Sequence, residues 1–292
     1  MPAILALVAA LMFALGTVIQ QRVAMTVSDD DAMSAGFLIR LAKRPAWLAG
    51  IAAGAVGFAA QAVALGIGRI IVVQPLLASA VVFALPLGAK LTGQRIDRRD
   101  IVAALAVTAG LGAFLVIADP SGGRDDGPIR TWLLLGGAIC ALSAILTFVG
   151  RQAAPRIKAA TFGTAAGLLF GLSAALTKAV VDSLGDGLGA LLTDWHLYAL
   201  ITVGFVGMTI AQISLQTGAL APAAATQMIF DPIASVILAI LLLDEKIHDT
   251  PLGIVGSLLA LAVVCAGLVA LSTRESGAVR DDGEPEPAPA PA

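Results

Sequence analysis

Nine apolar stretches of transmembrane length constrain this chain more than any other feature of its sequence. They lie near residues 2–21, 46–67, 70–91, 100–118, 131–150, 160–181, 195–217, 222–243 and 251–272. A helix needs about 20 mostly apolar residues to cross the hydrocarbon core of a bilayer. Only 13% of the 292 residues are charged, whereas a soluble domain carries about 25%. The pattern predicts an all-α, polytopic membrane helical bundle of about nine transmembrane helices.

A shorter apolar element at residues 32–44 complicates this count. Its apolar side chains follow helical spacing beside Arg40, Lys43 and Arg44. Because about 12 residues are too few to cross a bilayer comfortably, we expect an amphipathic helix in the interface, with a short tenth span as the alternative. No Lys or Arg precedes the first stretch, so we expect a retained helix there rather than a signal peptide.

The two sides of the predicted bundle differ in their basic residues. Of the 18 Lys and Arg residues, all but five fall on one side of the nine-span topology. The five on the other side are Arg69, Arg124, Arg130, Lys178 and Lys246. Cytoplasmic loops are enriched in Lys and Arg. We therefore expect a multi-pass protein of the cell membrane, with its N-terminus outside and its C-terminal tail in the cytoplasm.

The two halves of the chain match weakly when one is shifted along the other. The matching pairs are residues 11–16 with 168–173, Gln74-Pro75 with Asp231-Pro232, and residues 91–96 with 242–247. Helices 1–4 then pair with helices 6–9, and because five helices separate each pair, its members run in opposite directions. Such an inverted repeat is a common plan of secondary transporters. Chance likeness between apolar helices is the alternative.

The repeat predicts how the chain is divided. The first repeat covers residues 1–119, helices 1–4 with the interfacial helix. Helix 5, within residues 120–159, links it to the second repeat, residues 160–273 with helices 6–9. Residues 274–292 are rich in proline and acidic residues, cannot build a core, and are predicted to form a disordered cytoplasmic tail.

Several short motifs lie within residues 1–272. They are Trp47-Leu48-Ala49-Gly50, Gln61-Ala62-Val63-Ala64-Leu65, Val73-Gln74-Pro75-Leu76 and Gly93-Gln94-Arg95-Ile96 in the first half, and Asp231-Pro232 and Leu243-Asp244-Glu245-Lys246-Ile247 in the second. In these motifs the chain resembles the drug/metabolite transporter (DMT) superfamily, and within it the NIPA-like and EamA-like branches.

The resemblance implies a bundle of two inverted halves that works by alternating access. NIPA-like relatives are associated with magnesium, and EamA-like relatives with export of amino acids and other metabolites. The chain departs from a symmetric pattern at one position, because Gln94 stands in the first half where Glu245 stands in the second. A role for an acid at that position is therefore in doubt for the first half.

Asp231 is the first candidate for a substrate-binding residue. It lies about ten residues into its predicted helix, roughly 14 Å from the cytoplasmic end and near the midplane. A charged side chain at that depth costs at least about 2.5 kcal/mol and normally faces a cavity or a partner. A carboxyl that can be neutral or charged also suits proton coupling. The alternative is a neutral Asp hydrogen-bonded to a neighbouring helix.

Three prolines inside apolar spans are candidates for helix breaks or hinges. Proline has no N–H, so Pro232 frees the carbonyl of Met228 beside Asp231. Pro75 does the same next to Gln74, and Pro86 is expected to kink the same span again. A simple packing kink is the alternative for each.

Polar residues in apolar spans complete the predicted substrate site. They are Gln20, Gln61, Gln74, Gln212, Gln216, Gln227 and Lys178. A buried amide must find hydrogen-bond partners or cost several kcal/mol, so six glutamines favour a shared polar cavity over independent bonds between helices. Lys178 could reach Asp231 across that cavity, although snorkelling to the interface is the preferred interpretation.

The glycines Gly163, Gly167 and Gly171 form a double G-x-x-x-G pattern. Such a face allows close contact between helices. Packing within the bundle is the preferred interpretation, and a homodimer through this face is the alternative.

Several classes of protein and site are not expected. The chain lacks the G-x-S-x-G, P-loop and H-E-x-x-H patterns, so we predict no enzyme. Cys140, Cys265, His196 and His248 form no Cys/His cluster typical of zinc, and no cofactor is expected. The absence of a basic stripe with interleaved aromatic residues speaks against nucleic-acid binding.

Three hypotheses for function remain. The first is a secondary transporter that exports a metabolite or amphiphile, with proton coupling through Asp231. The second is a NIPA-like transporter of magnesium or another divalent cation, although one deep acid is a poor site for a divalent ion. The third is a non-transporting accessory or scaffold subunit that uses the glycine faces and the tail as contact surfaces.

Overall fold

The computed structural model describes residues 1–24, 44–93, 96–217, 219–247 and 250–281. The helices are α1 Pro2–Ala24, α2 Pro45–Ile67, α3 Ile70–Leu77, α4 Ala80–Thr92, α5 Arg98–Ala118, α6 Ile129–Gly150, α7 Pro155–Gly185, α8 Leu188–Thr193, α9 Trp195–Leu215, α10 Leu220–Leu241 and α11 Pro251–Asp281. Two short strands, β1 Ser121–Gly122 and β2 Glu245–Lys246, pair antiparallel. The interfacial helix predicted at 32–44 lies, except for Arg44, outside the described residues.

The described residues contain nine helical segments that are long and apolar enough to cross a membrane. The third segment, Ile70–Thr92, consists of α3 and α4 together. The prediction of an all-α polytopic bundle is therefore confirmed, and the protein is a multi-pass membrane protein. The spans match because the thickness of the bilayer fixes how long an apolar run must be.

The last helix is longer than the sequence suggested. α11 continues to Asp281, so the prediction of disorder is wrong for residues 274–281. The first proline of the tail is Pro285, and no proline therefore stops the helix before that point. Residues 282–292 lie outside the described part of the chain.

α7 is the central helix of the bundle. In its apolar window, 72% of the residues are buried within the protein, against at most 39% in any other span. It packs against α6, α9 and α10, while α1 packs against α2 and α4 and α5 packs against α11. The first helix of each predicted half thus contacts the two spans that follow it.

One end of the bundle collects the loops 68–69, 119–128, 186–194 and 242–247. The pairing of β1 with β2 and a hydrogen bond from Arg69 Nε to the carbonyl of Gly122 (3.0 Å) join 68–69, 119–128 and 242–247. We call this the acidic end, because it carries Asp119, Asp125, Asp126, Asp186, Asp194, Asp244 and Glu245. The connection between α6 and α7 lies at the other end of these helices.

The charge asymmetry predicts that the acidic end faces the outside of the cell. We expect a membrane-impermeant maleimide to label Ser121→Cys in intact cells, and Gln152→Cys only after permeabilisation, because cytoplasmic loops are the Lys- and Arg-rich ones. Both positions are exposed. The background should carry alanine at Cys140 and Cys265, and the reverse labelling pattern would contradict the predicted orientation.

Candidate functional site

Asp231 lies near the middle of α10, in the interior of the bundle. The residue is half-buried, but its Oδ1 atom is enclosed and has no hydrogen-bond partner among the described residues. Burying a polar atom without a partner costs about 1–3 kcal/mol, and more if the group is charged. An unpaired acid at this depth is a candidate functional group with a physical reason.

The glycine face of α7 lies directly against the backbone around Asp231. A Cβ atom built on Gly167 would lie 2.7 Å from the carbonyl oxygen of Gln227 and 3.0 Å from the amide nitrogen of Asp231. A Cβ on Gly171 would lie 2.9 Å from the carbonyl oxygen of Asp231. α10 of the same chain therefore occupies the glycine face, as the packing interpretation expects, and a homodimer through it would first have to displace α10.

The predicted helix breaks occur at one of the three prolines. The third span is interrupted at Ala78 and Ser79, immediately after α3, which contains Pro75. α4 and α10 continue through Pro86 and Pro232, so the breaks predicted there are not observed. A helix can pass through proline where other donors and neighbouring helices compensate for the missing N–H.

A single hydroxyl donor lies beside the two carbonyls next to the candidate acid. The hydroxyl of Ser235, which is fully buried, lies 2.9 Å from the carbonyl oxygen of Asp231 and 3.1 Å from that of Pro232. The backbone next to the carboxyl is therefore paired even though Oδ1 is not.

The glutamines do not form one shared cavity. Gln212 and Gln216 are exposed on α9, so the prediction that they line the site with Asp231 is wrong. Their helix packs on α7 through its other residues, which turns these side chains away from the interior. Gln20, Gln61 and Gln227 are half-buried, and Gln74 is buried with its Nε2 unpartnered among the described residues.

Asp231 lines neither of two cavities in the described structure. One, of about 410 Å³, lies at the acidic end beside Glu245 and Lys246. The other, of about 640 Å³, lies between α6, α7 and α9. In this conformation the candidate acid is therefore closed off from both spaces.

Lys178 is bound at the loop end of the bundle and has no contact with Asp231, so the predicted contact between the two is not observed. It is 5% exposed, and its Nζ donates to the carbonyls of Leu65 (3.1 Å) and Gly68 (2.9 Å) at the end of α2. It also forms a salt bridge of 3.0 Å with Asp125. The last carbonyls of a helix lack partners within the helix and attract a cation, which explains the buried position of Lys178.

Glu245 provides the complementary contact at the next helix. Its carboxylate oxygens accept hydrogen bonds from the amides of Ile70 (2.8 Å) and Ile71 (3.0 Å), the first two residues of α3. Burial raises the pKa of Glu245 above its usual value, although these two hydrogen bonds and the charges of Lys178 and Arg69 oppose the shift. Free amides at a helix N-terminus favour a carboxylate.

Lys178 and Glu245 therefore hold the two residues that join α2 to α3, Gly68 and Arg69, from opposite sides. We call this pair of side chains the junction clamp. Both belong to the second half of the chain, whereas the junction belongs to the first. This role could not be predicted from the sequence, because each side chain is separated from its backbone partners by 110 residues or more.

A second buried cluster lies at the same end of the bundle. His196 is 5% exposed, with its Nδ1 2.7 Å from Asp194 Oδ1 and its Nε2 3.3 Å from Asp126 Oδ1. The indole of Trp132 donates to the same Asp126 oxygen at 2.7 Å. These contacts tie α6, α9 and the loop 119–128 together.

Hydrogen bonds lower the pKa of Asp194, one of the acids in this cluster. Burial raises the pKa of Asp194, but hydrogen bonds from Ser183 and from the amide and ring of His196 outweigh it, so the pKa is lower than usual. The signal in the sequence was a histidine two residues after an aspartate at the start of an apolar span. That signal alone could not identify Asp126 as the second acid beside His196.

The fold and its interior acid define a polytopic α-helical membrane protein. No family model and no solved structure matches the chain. It is 32% identical over 271 residues to the uncharacterized protein Cgl0250/cg0304 of Corynebacterium glutamicum, a match that covers 91% of this chain and 93% of that protein. The chain therefore belongs to the same family as that protein.

Gly171→Ala should destabilise the protein by about 1–3 kcal/mol, because overpacking a tight contact costs that much. The new methyl group would lie 2.6 Å from Ala234 Cβ and 2.8 Å from the amide nitrogen of Ser235. Gly204→Ala is the matched control, since a Cβ there meets nothing within 4 Å. Thermal unfolding in detergent measures both, and equal Tm values for the two variants would contradict the close packing of α7 on α10.

Glu245→Gln should lower the unfolding free energy by about 1–3 kcal/mol, because the amide has one acceptor oxygen and leaves one buried N–H of α3 without an acceptor. The control is Asp244→Asn, a neighbouring exposed acid whose backbone lies in the left-handed region at φ 57°, where asparagine is tolerated. The same thermal measurement applies. A Tm for Glu245→Gln equal to that of the control would contradict a stabilising role for the junction clamp.

Proposed function

We propose that this protein is a secondary transporter of the DMT type, which moves a small solute by alternating access with proton coupling through Asp231. The observation that carries the proposal is the enclosed Oδ1 of Asp231 in the middle of a span, which has no hydrogen-bond partner in the described part of the chain. A purely structural acid would have been paired with a hydrogen-bond donor, since an unpaired buried group costs stability.

The protonation chemistry of Asp231 fits the closed conformation. An isolated carboxylate in hydrocarbon is very costly, and such a group is normally accommodated as the neutral acid. A proton taken up on one side of the membrane would allow the closed state, and its loss would favour a state in which water or cargo reaches the carboxyl. Differential stability of the two states is what couples a ligand to a conformational change.

The junction clamp supports alternating access, which requires that one end of the pathway close by reversible contacts. Lys178 and Glu245 join the two predicted halves by hydrogen bonds to backbone at the acidic end. The helix of the third span is interrupted at Ala78 and Ser79, after the 8 residues of α3 that begin at this contact. Release of the clamp would let α3 move separately from α4, because a broken span can hinge where a continuous helix cannot.

The donor set favours a small metabolite or amphiphile over a divalent cation as the cargo. Magnesium prefers carboxylate and other oxygen ligands in an octahedral arrangement. Within the described residues, no group of three or more His, Cys, Asp or Glu side chains could hold a metal ion. The cargo site that we propose has a single carboxyl, with Gln227 one turn before it on α10, which suits a polar organic solute.

Reconstituted protein should exchange protons for solute, and Asp231→Asn should reduce this flux by at least about tenfold, as expected when a group essential to the mechanism is lost. Purified protein in liposomes with an internal pH dye can be tested against amino acids, organic amines, phosphorylated metabolites and Mg²⁺. The asparagine variant keeps the size of the side chain but cannot release a proton.

Asp186→Asn is the matched control, because Asp186 is exposed at the acidic end. The control should transport normally, and both variants should be purified as folded protein with similar Tm. Undiminished flux in Asp231→Asn would contradict the proposed mechanism. Magnesium as the only active cargo would favour the cation-transporter alternative, and co-purification of a stoichiometric partner without any flux would favour an accessory subunit.

A further inference from the structure

A lipid-facing groove runs between α6 and α9. Both helices pack on α7, and the cavity of about 640 Å³ lies between them. Only 11% of the α6 window and 17% of the α9 window are buried within the protein, the lowest values of the nine spans. The groove therefore opens toward the hydrocarbon of the bilayer rather than toward the bundle interior.

The walls of the groove are apolar. Its lining includes Cys140, Ala144, Phe148, Phe162, Val203 and Val206. The hydroxyls that line it are already paired with backbone carbonyls: Ser143 with Ala165 at 3.3 Å, Thr147 with Ser143, and Thr202 with Tyr198 at 2.8 Å. Hydrocarbon can fill such a space without leaving a hydroxyl donor unpaired.

One end of the groove is positively charged. Arg151 lines the cavity and lies with its Cζ 4.0 Å from the ring centroid of Phe148. Lys158 lies with its Nζ 5.7 Å from the ring centroid of Phe162. Both rings line the groove, so Arg151 lies at its wall and Lys158 lies beside a ring that forms the wall.

No acid compensates these cations along the chain. Residues 127–181 contain no Asp or Glu, and the turn between α6 and α7 adds a further cation at Arg156. The combination of an apolar groove with a cationic end is complementary to a molecule with a long hydrocarbon part and an anionic head. Basic pockets between transmembrane helices bind anionic phospholipid headgroups for the same reason.

We propose that this groove binds an anionic phospholipid of the bilayer. One acyl chain lies along α7 between α6 and α9, and the headgroup phosphate contacts Arg151 and Lys158. The site is separate from Asp231, which does not line the groove, so the inference does not depend on the proposed transport function.

Native mass spectrometry of the full-length protein tests this site directly. The protein in detergent is given an equimolar mixture of phosphatidylglycerol and phosphatidylcholine with identical acyl chains. We expect it to retain phosphatidylglycerol about 25-fold better, because each of the two cations favours an anionic lipid by about fivefold. Equal retention of the two lipids would overturn the proposal.

Two variants distinguish the contribution of the lipid headgroup to binding from that of the acyl chain. Arg151→Gln combined with Lys158→Gln should remove the preference for phosphatidylglycerol while retaining the weaker binding of phosphatidylcholine. Val203→Trp, which fills the groove, should lower the binding of both lipids. An unchanged preference in the first variant, or unchanged binding in the second, would overturn the assignment of that part of the site.

Two controls address nonspecific attraction. Arg98→Gln combined with Arg99→Gln removes two exposed cations from the start of α5 and should leave the preference unchanged, so its loss in this control would overturn the site. Soluble glycerol phosphate should fail to compete, because it has no hydrocarbon for the groove. Competition equal to that of the lipid would show an anion site without lipid binding and would also overturn the proposal.

Discussion

The contact on which the rest of the structure depends is the backbone-to-backbone packing of α7 against α10. Glycines at three successive turns of α7 let the backbone of α10 approach so closely that no β-carbon fits between them. In a bilayer, where lipid is as apolar as leucine, such close packing replaces the hydrophobic effect as the source of helix association. The same contact places α7 directly against the backbone of Asp231.

The polar groups of the protein are divided between two places with different properties. At the acidic end, the side chains of Lys178 and Glu245 bind the ends of two helices, and Nδ1 of His196 contacts Asp194. Nε2 of His196 lies 3.3 Å from Asp126 but has no hydrogen-bond partner among the described residues. In the interior, Asp231 and Gln74 each have a polar atom without a partner among the described residues. Paired groups fix a structure, whereas unpaired groups are available to a ligand, so the interior is where we place the cargo and the acidic end is where we place the closure.

The architecture could be predicted from the sequence because it depends on local properties. The length and apolarity of each stretch fixed the nine spans, and the glycine pattern identified a close helix contact. The sequence could not show which way a side chain points on a helix that is apolar all round, and the prediction for Gln212 and Gln216 on α9 was wrong for that reason. The partners of Lys178, Glu245 and His196 lie far away along the chain, so only the fold brings them together.

The central claim is that Asp231 holds a proton in the closed state and can exchange it with water when the protein opens. Infrared difference spectroscopy of the reconstituted protein, with Asp231→Asn as the reference, measures this directly. The account predicts a neutral carboxyl band at neutral pH that is absent from the variant and that shifts after transfer to D₂O. If the band is missing, or if it persists unshifted while exposed acids exchange, then Asp231 is either ionised or permanently sealed, and its proposed role in transport is contradicted.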